Sequence, residues 1–162
     1  MHDRLRDKQQ SLEILRRIAD YQLGKGAGDD LFTNKVEIAF SRTTGRIRYI
    51  YMRDRLLATL RPTDGMFSLT VGGAKRLTRK ASLERLWIKV SDDATPFIAK
   101  GKSVFAKHII DADEEIRPQE EIIVLGKSGK VLAVGKAVLT GKEMKLFKRG
   151  LAVRVRRGVA ER

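Results

Sequence analysis

Between residues 8 and 23, apolar side chains recur at intervals of three and four: Leu12, Leu15, Ala19 and Leu23, flanked by Ile14, Ile18 and Tyr21. This spacing places them on one face of a helix, which the glycines of Gly24-Lys25-Gly26-Ala27-Gly28 should end. The period then drops to two. Val36, Ile38 and Phe40 alternate with Lys35, Glu37 and Ala39, the pattern of a half-buried strand. After the turn at Thr44-Gly45, residues 46–52 and 56–60 predict two more strands. Arg61-Pro62-Thr63-Asp64-Gly65 carries proline and glycine as a turn requires, and 66–71 predicts a fourth strand.

A basic helix follows. Lys75, Arg76, Arg79 and Lys80 stand at i, i+1, i+4 and i+5 and should share one face, with Ala74, Leu77 and Ala81 on the other. Beyond it the pattern is mostly of strands. Residues 86–90 alternate, and Asp92-Asp93-Ala94-Thr95-Pro96 opens a helical turn with proline where it costs no hydrogen bond. Residues 121–125 and 131–139 flank the hairpin turn Lys127-Ser128-Gly129-Lys130. Residues 142–147 predict a short helix ended by Gly150. In the last strand Leu151, Val153 and Val155 alternate with Arg154 and Arg156, so both arginines should point outward together. Many short strands with glycine-bearing turns over this half suggest a small closed or nearly closed barrel. The expected fold class is α+β: an α+β domain at 1–82, then a barrel domain at 83–162.

Charge sharpens the picture. The 162 residues hold 34 Lys and Arg against 20 Asp and Glu, a formal net charge of +14. The first 82 residues carry 17 basic and 9 acidic side chains and the remainder 17 and 11, so the excess is not that of a tail. A domain that repels itself this strongly suits a polyanionic partner, nucleic acid before an anionic membrane. The aromatic share of 6% argues against a binder that works by stacking single-stranded bases. No apolar run is long enough to predict a membrane span, and the charged start Met1-His2-Asp3-Arg4-Leu5-Arg6 leads into no signal-like segment. The default expectation is cytoplasmic, with no membrane partner.

Catalytic and metal chemistry find no support. The chain has no cysteine and two histidines, His2 and His108, which excludes thiolate sites and leaves too few imidazoles to predict a multi-histidine metal site. Gly101-Lys102-Ser103 and Gly126-Lys127-Ser128 imitate the end of a phosphate-binding loop, but Pro96 and Glu121 stand where its first glycine belongs. Gly24, Gly26 and Gly28 follow a helix and not a strand, so they fail as a dinucleotide fingerprint. The acids Asp111, Asp113, Glu114, Glu115, Glu120 and Glu121 read as a solvated rim. No catalytic residue, metal or cofactor is expected.

Between residues 97 and 105 the run Phe97-Ile98-Ala99-Lys100-Gly101-Lys102-Ser103-Val104-Phe105 becomes specific. With Ile109-Ile110-Asp111-Ala112-Asp113, Ile116-Arg117-Pro118, Ile122-Ile123-Val124, Leu132-Ala133-Val134-Gly135, Glu143-Met144 and Gly150-Leu151-Ala152-Val153 it resembles the PUA domain, over roughly 86–158. In the first half, Ala19-Asp20-Tyr21-Gln22-Leu23-Gly24, Thr44-Gly45-Arg46-Ile47-Arg48, Leu57-Ala58-Thr59, Arg61-Pro62-Thr63-Asp64-Gly65-Met66-Phe67 and Leu69-Thr70 resemble the domain that precedes PUA in archaeosine tRNA-guanine transglycosylases, enzymes of archaea. The catalytic barrel of those enzymes, with its carboxylates and zinc cysteines, has no counterpart here.

The resemblance implies a small mixed β-barrel and binding of structured RNA, tRNA foremost, through phosphate contacts. The turn of Lys100, Gly101, Lys102 and Ser103, with its backbone amides free to donate, would lie against the RNA, followed by Phe105, Lys107 and His108. Arg154 and Arg156 would stand beside it; independently of the resemblance, spacing and net charge offer Lys75, Arg76, Arg79 and Lys80 as a second, phosphate-facing basic face. The alternatives are a non-catalytic subunit delivering tRNA to a separate catalytic tRNA-modification subunit, and a ribosome-associated factor. Glycines common in the family are replaced by His108 and Gln119, so the 118–120 loop is expected to take another turn type.

Overall fold

The computed structural model of the chain describes residues 2–80 and 83–161, with side chains at 7–79 and 83–161. It divides into two compact units, residues 1–80 and 81–162. Ala81, expected on the apolar face of the basic helix, lies outside the described residues.

In the first unit the long helix α1 (His2–Leu23) is followed by α2 (Ala27–Leu31), then strands β1 (Glu37–Phe40), β2 (Ile47–Met52), β3 (Arg55–Leu60) and β4 (Phe67–Leu69), and helix α3 (Val71–Lys80). The strands form an antiparallel meander in the order β1-β2-β3-β4. The apolar stripe of α1 is the core, with Leu12, Leu15, Ala19 and Leu23 all buried. Sequence patterning missed α2, because the glycines read only as a stop. Gly26 at φ 90 lets the chain turn and start a new helix, and Asp20 accepts a hydrogen bond from the Gly28 amide at 2.7 Å. A β-carbon at Gly28 would collide with the Arg16 carbonyl of α1, so only glycine permits this approach.

Alternation sorts the sheet into rows. Ile38, Ile50, Ala58 and Leu69 face one another across the four strands, and the last three are buried. The adjacent row of Ala39, Tyr49, Thr59 and Ser68 points to the opposite side and is more open. Buried Gln22 joins helix to sheet. Its amide nitrogen donates to the Phe67 carbonyl at 2.9 Å, and its amide oxygen accepts the Phe67 N–H at 2.7 Å, as a neighbouring strand would.

The second unit runs β5 (Trp87–Val90), α4 (Thr95–Ala99), β6 (Val104–Phe105), a 3₁₀ turn at Ala106–His108, β7 (Ile109–Ala112), β8 (Glu121–Leu125), β9 (Val131–Ala137), α5 (Gly141–Leu146) and β10 (Leu151–Gly158). The six strands are ordered β6-β10-β9-β8-β5-β7 in a nearly closed, barrel-like sheet. The β5–β8 pair is parallel and the others antiparallel, which makes the sheet mixed. The continuous apolar run of β8 reflects burial on both faces between β9 and β5. Helix α5 begins with a capping box: Thr140 accepts from the Glu143 amide and Glu143 from the Thr140 amide. Gln119 takes φ 74, so it occupies the left-handed turn that a glycine would, against the expectation of a different turn type.

Candidate nucleic-acid interface

Helix α4 ends in the turn that carries the Lys100–Ser103 run. Gly101 sits at φ 100, a conformation favouring glycine. The backbone amides of Lys100, Gly101 and Lys102 are not free. Lys100 and Lys102 donate to the Phe97 carbonyl at 3.2 and 3.1 Å, and Gly101 donates to Ile98 at 2.9 Å, because they finish the α4 turn. The expectation of unengaged amide donors is corrected accordingly. The Ser103 hydroxyl accepts the Val155 N–H at 3.2 Å, tying the turn to β10.

A second correction concerns the open face of Gly101. A β-carbon there would collide with the carboxylate of Glu161, which accepts the Gly158 amide at 2.9 Å and approaches the Arg157 guanidinium at 3.5 Å. A carboxylate thus stands beside Gly101. Lys100, Lys102 and Lys107 are exposed and have no ion-pair partner among the described residues. Phe105 is 47% exposed on β6 and His108 is half-buried.

The two arginines of β10 play different parts. Arg154 is exposed and stands opposite Lys136 of β9, itself opposite Glu121 of β8. Two like charges facing each other are unfavourable unless an anion joins them. Arg156 instead forks onto Glu121 at 2.9 and 2.5 Å, and that carboxylate is 0% exposed. Its charge is engaged by a buried acid, while its side chain stays 37% exposed.

Glu121 therefore leaves the expected acidic rim, and Asp113 leaves it too. Asp113 is buried and accepts the amides of Leu86 at 2.8 Å and Glu115 at 3.0 Å, holding Leu86 at φ 64. Asp111 and Glu114 bind Lys145 of α5 at 3.7 and 3.1 Å. The hydrogen bond to Glu114, with its charge, raises the Lys145 ammonium above the ordinary lysine value. The Ser91 hydroxyl holds the Asp93 carboxyl below its usual value, with a smaller contribution from nearby His108.

In the first unit, Lys75 and Arg79 of α3 are exposed, while the Lys80 side chain lies outside the described residues. Arg76 does not join them on an open face. It is half-buried, its Nε is buried without a hydrogen-bond partner among the described residues, and it lines a pocket of about 310 Å³ with Thr33, Lys35, Met52 and Arg53. Adjacent helix positions diverge by about 100°, and that rotation turns Arg76 toward the β2–β3 turn.

Sequence reading missed a larger groove of about 990 Å³ at the end of the sheet where the 41–46 loop and the 61–65 turn meet. Arg42, Arg46, Arg48 and Arg61 line it with Phe40 and Tyr49, and no acidic side chain of the described residues does. These residues are spread over 22 positions of chain and form no run. Their only sequence signal is arginine on both sides of one predicted turn. Aromatic rings are few, and among the described residues Tyr21, Phe40, Tyr49, Phe97, Phe105 and Phe147 are exposed.

Among the described residues no group of three or more His, Asp or Glu side chains could hold a metal ion. No helix of the described residues is long and apolar enough to cross a membrane.

Residues 13–83 match the family described as the patch-forming domain C2 of tRNA-guanine transglycosylase, and residues 87–159 match the PUA domain. The tRNA-guanine(15) transglycosylase of Methanothermobacter thermautotrophicus is 44% identical over 147 residues, 91% of this chain and 22% of that protein. The enzyme of the same name from Thermococcus kodakarensis is 42% identical over 153 residues, 94% of this chain and 26% of its own length. The chain thus spans about a quarter of these archaeal relatives and corresponds to their non-catalytic C-terminal part. Among solved structures, a hypothetical protein of Pyrococcus horikoshii superposes with a TM-score of 0.73 at 26% identity, covering 93% of this chain and 91% of its own. A PUA-domain protein of Thermoplasma acidophilum, TM-score 0.67 at 22% identity over 94% and 91%, shares the fold.

Proposed function

From a chain that belongs to the C2-plus-PUA module of archaeal tRNA-guanine transglycosylases, we infer that its task is to bind structured RNA, tRNA foremost, by its phosphate backbone. The observation that carries this reading is a set of cations around one turn of the PUA domain that have no ion-pair partner among the described residues. Lys100 and Lys102 flank Gly101, Lys107 follows β6, and Arg154 lies opposite Lys136 on the adjoining strands. Glu161 beside Gly101 and buried Glu121 opposite Lys136 offset part of this charge, and phosphates complete what remains. Lys75 and Arg79 extend the same chemistry to the first unit.

Binding to phosphates releases counterions, so affinity for a duplex stem should fall with salt at about 0.9 power per phosphate contact. Filter binding of a tRNA across a salt series tests this. The Lys102→Ala/Arg154→Ala double variant should lower the slope by about two units. It leaves Arg156 and its buried acid untouched. Salt-independent binding, or no binding at low salt, would overturn the reading.

A second form of the same reading is that the module presents tRNA to a separate catalytic chain of the modification machinery, because the relatives that share this pair of domains are tRNA-guanine(15) transglycosylases. Affinity capture that retains such a catalytic subunit after nuclease treatment supports it. Capture lost with the RNA contradicts it.

A further inference from the structure

We propose that the arginine-lined groove of the first unit is a separate site for unpaired RNA nucleotides. It rests on the reading of the chain as an RNA binder, and it adds a second mode of contact. Antiparallel pairing sets Tyr49 opposite Ala39, and a register shift between Ala39 and Phe40 then brings Phe40 opposite Ile47. Both rings line the groove, Phe40 at 53% and Tyr49 at 36% exposure. The Arg48 guanidinium lies 5.8 Å from the Tyr49 ring centroid, and the Tyr51 ring centroid lies 6.3 Å from it.

Charge decides the kind of occupant. Arg42, Arg46 and Arg48 have no ion-pair partner among the described residues, and the groove has no acidic lining. Arg61 is held by Asp64 at 2.9 Å, yet its Nη1 is buried with no hydrogen-bond partner among the described residues. An occupant must therefore offer flat apolar faces to two rings and anionic oxygens to three guanidinium groups. Unpaired nucleotides do both, and a groove of about 990 Å³ holds more than one of them. A regular RNA helix does not fit, because its bases are stacked on each other and turned away from the surface.

The test uses the full chain and two probes, a short labelled oligouridylate and a closed RNA stem-loop. Base–aromatic stacking is strong enough that the Phe40→Ala/Tyr49→Ala double variant should lose oligouridylate affinity about tenfold or more. Its salt slope should stay unchanged, and stem binding should fall less than twofold. Tyr49→Phe retains the ring and should bind as the parent does. Arg42→Gln/Arg46→Gln should reduce the single-strand salt slope by about 1.4 units. Lys102→Ala/Arg154→Ala should weaken the stem-loop and spare oligouridylate.

Unchanged oligouridylate affinity in the ring variant, with its circular dichroism intact, overturns the proposal. So does equal loss on both probes. If only the arginine variant weakens binding, the site takes an anionic partner without bases, such as an acidic peptide, and the proposal falls. A parent chain that binds the stem-loop but not oligouridylate overturns the groove alone. One that binds neither overturns the RNA reading itself.

Discussion

Arg154 and Arg156 are two residues apart on one strand and look equivalent in sequence, yet their surroundings assign them opposite roles. Arg154 meets a like charge and solvent, whereas Arg156 forks onto a carboxylate that water does not reach. Removing one member of a buried pair leaves the other charge stranded, at a cost of about 3–5 kcal/mol. Arg156→Ala should therefore destabilise the second unit by that order in urea unfolding, and Glu121→Gln in the same background should recover part of the loss. Arg154→Ala should stay within about 0.5 kcal/mol. An RNA-binding deficit in Arg156→Ala would thus report on folding before it reports on contact.

The elements depend on close backbone approaches that only glycine allows. A β-carbon at Gly158, near the end of β10, would overlap the Ala99 carbonyl and stand 2.7 Å from the Gly101 nitrogen. That contact presses β10 against the end of α4 and positions the lysine-bearing turn. Gly129 in the β8–β9 hairpin has φ 90 and open space around it. Gly158→Ala should lower unfolding stability by about 1–3 kcal/mol or more, since backbone must shift to admit the methyl group. Gly129→Ala should cost about 1 kcal/mol, the penalty of a positive φ alone. Thermal melts of the two variants compare steric collision with backbone strain at equal chemistry.

For the whole molecule, each compact unit has its own buried core and its own sheet. Expressed separately, residues 1–82 and 83–162 should each unfold cooperatively in urea, and a fragment that shows no cooperative transition would contradict independent folding. The +14 charge is shared between the halves. Both fragments should therefore bind RNA with a salt dependence, each weaker than the joined chain because linkage raises effective concentration.

Local pattern was enough for much of this. The stripe of Leu12, Leu15, Ala19 and Leu23, the alternation of β1 and the glycine-bearing hairpin turns act between near neighbours, so period and turn chemistry display them. The PUA resemblance likewise rests on residues in order along the chain. Pairings across large sequence separations were not legible. Glu121 is indistinguishable from a surface acid until β8 is enclosed by its neighbours and Arg156, 35 positions away, reaches it. Glu161 covers Gly101 only because β10 returns past α4. Arg42, Arg48 and Arg61 become one groove with Phe40 and Tyr49 only when strand register fixes which side chains share an edge. Charge type and helical or strand period are properties of a segment. Whether a charge is free, paired or buried depends on what folds against it, and that is decided by tertiary packing.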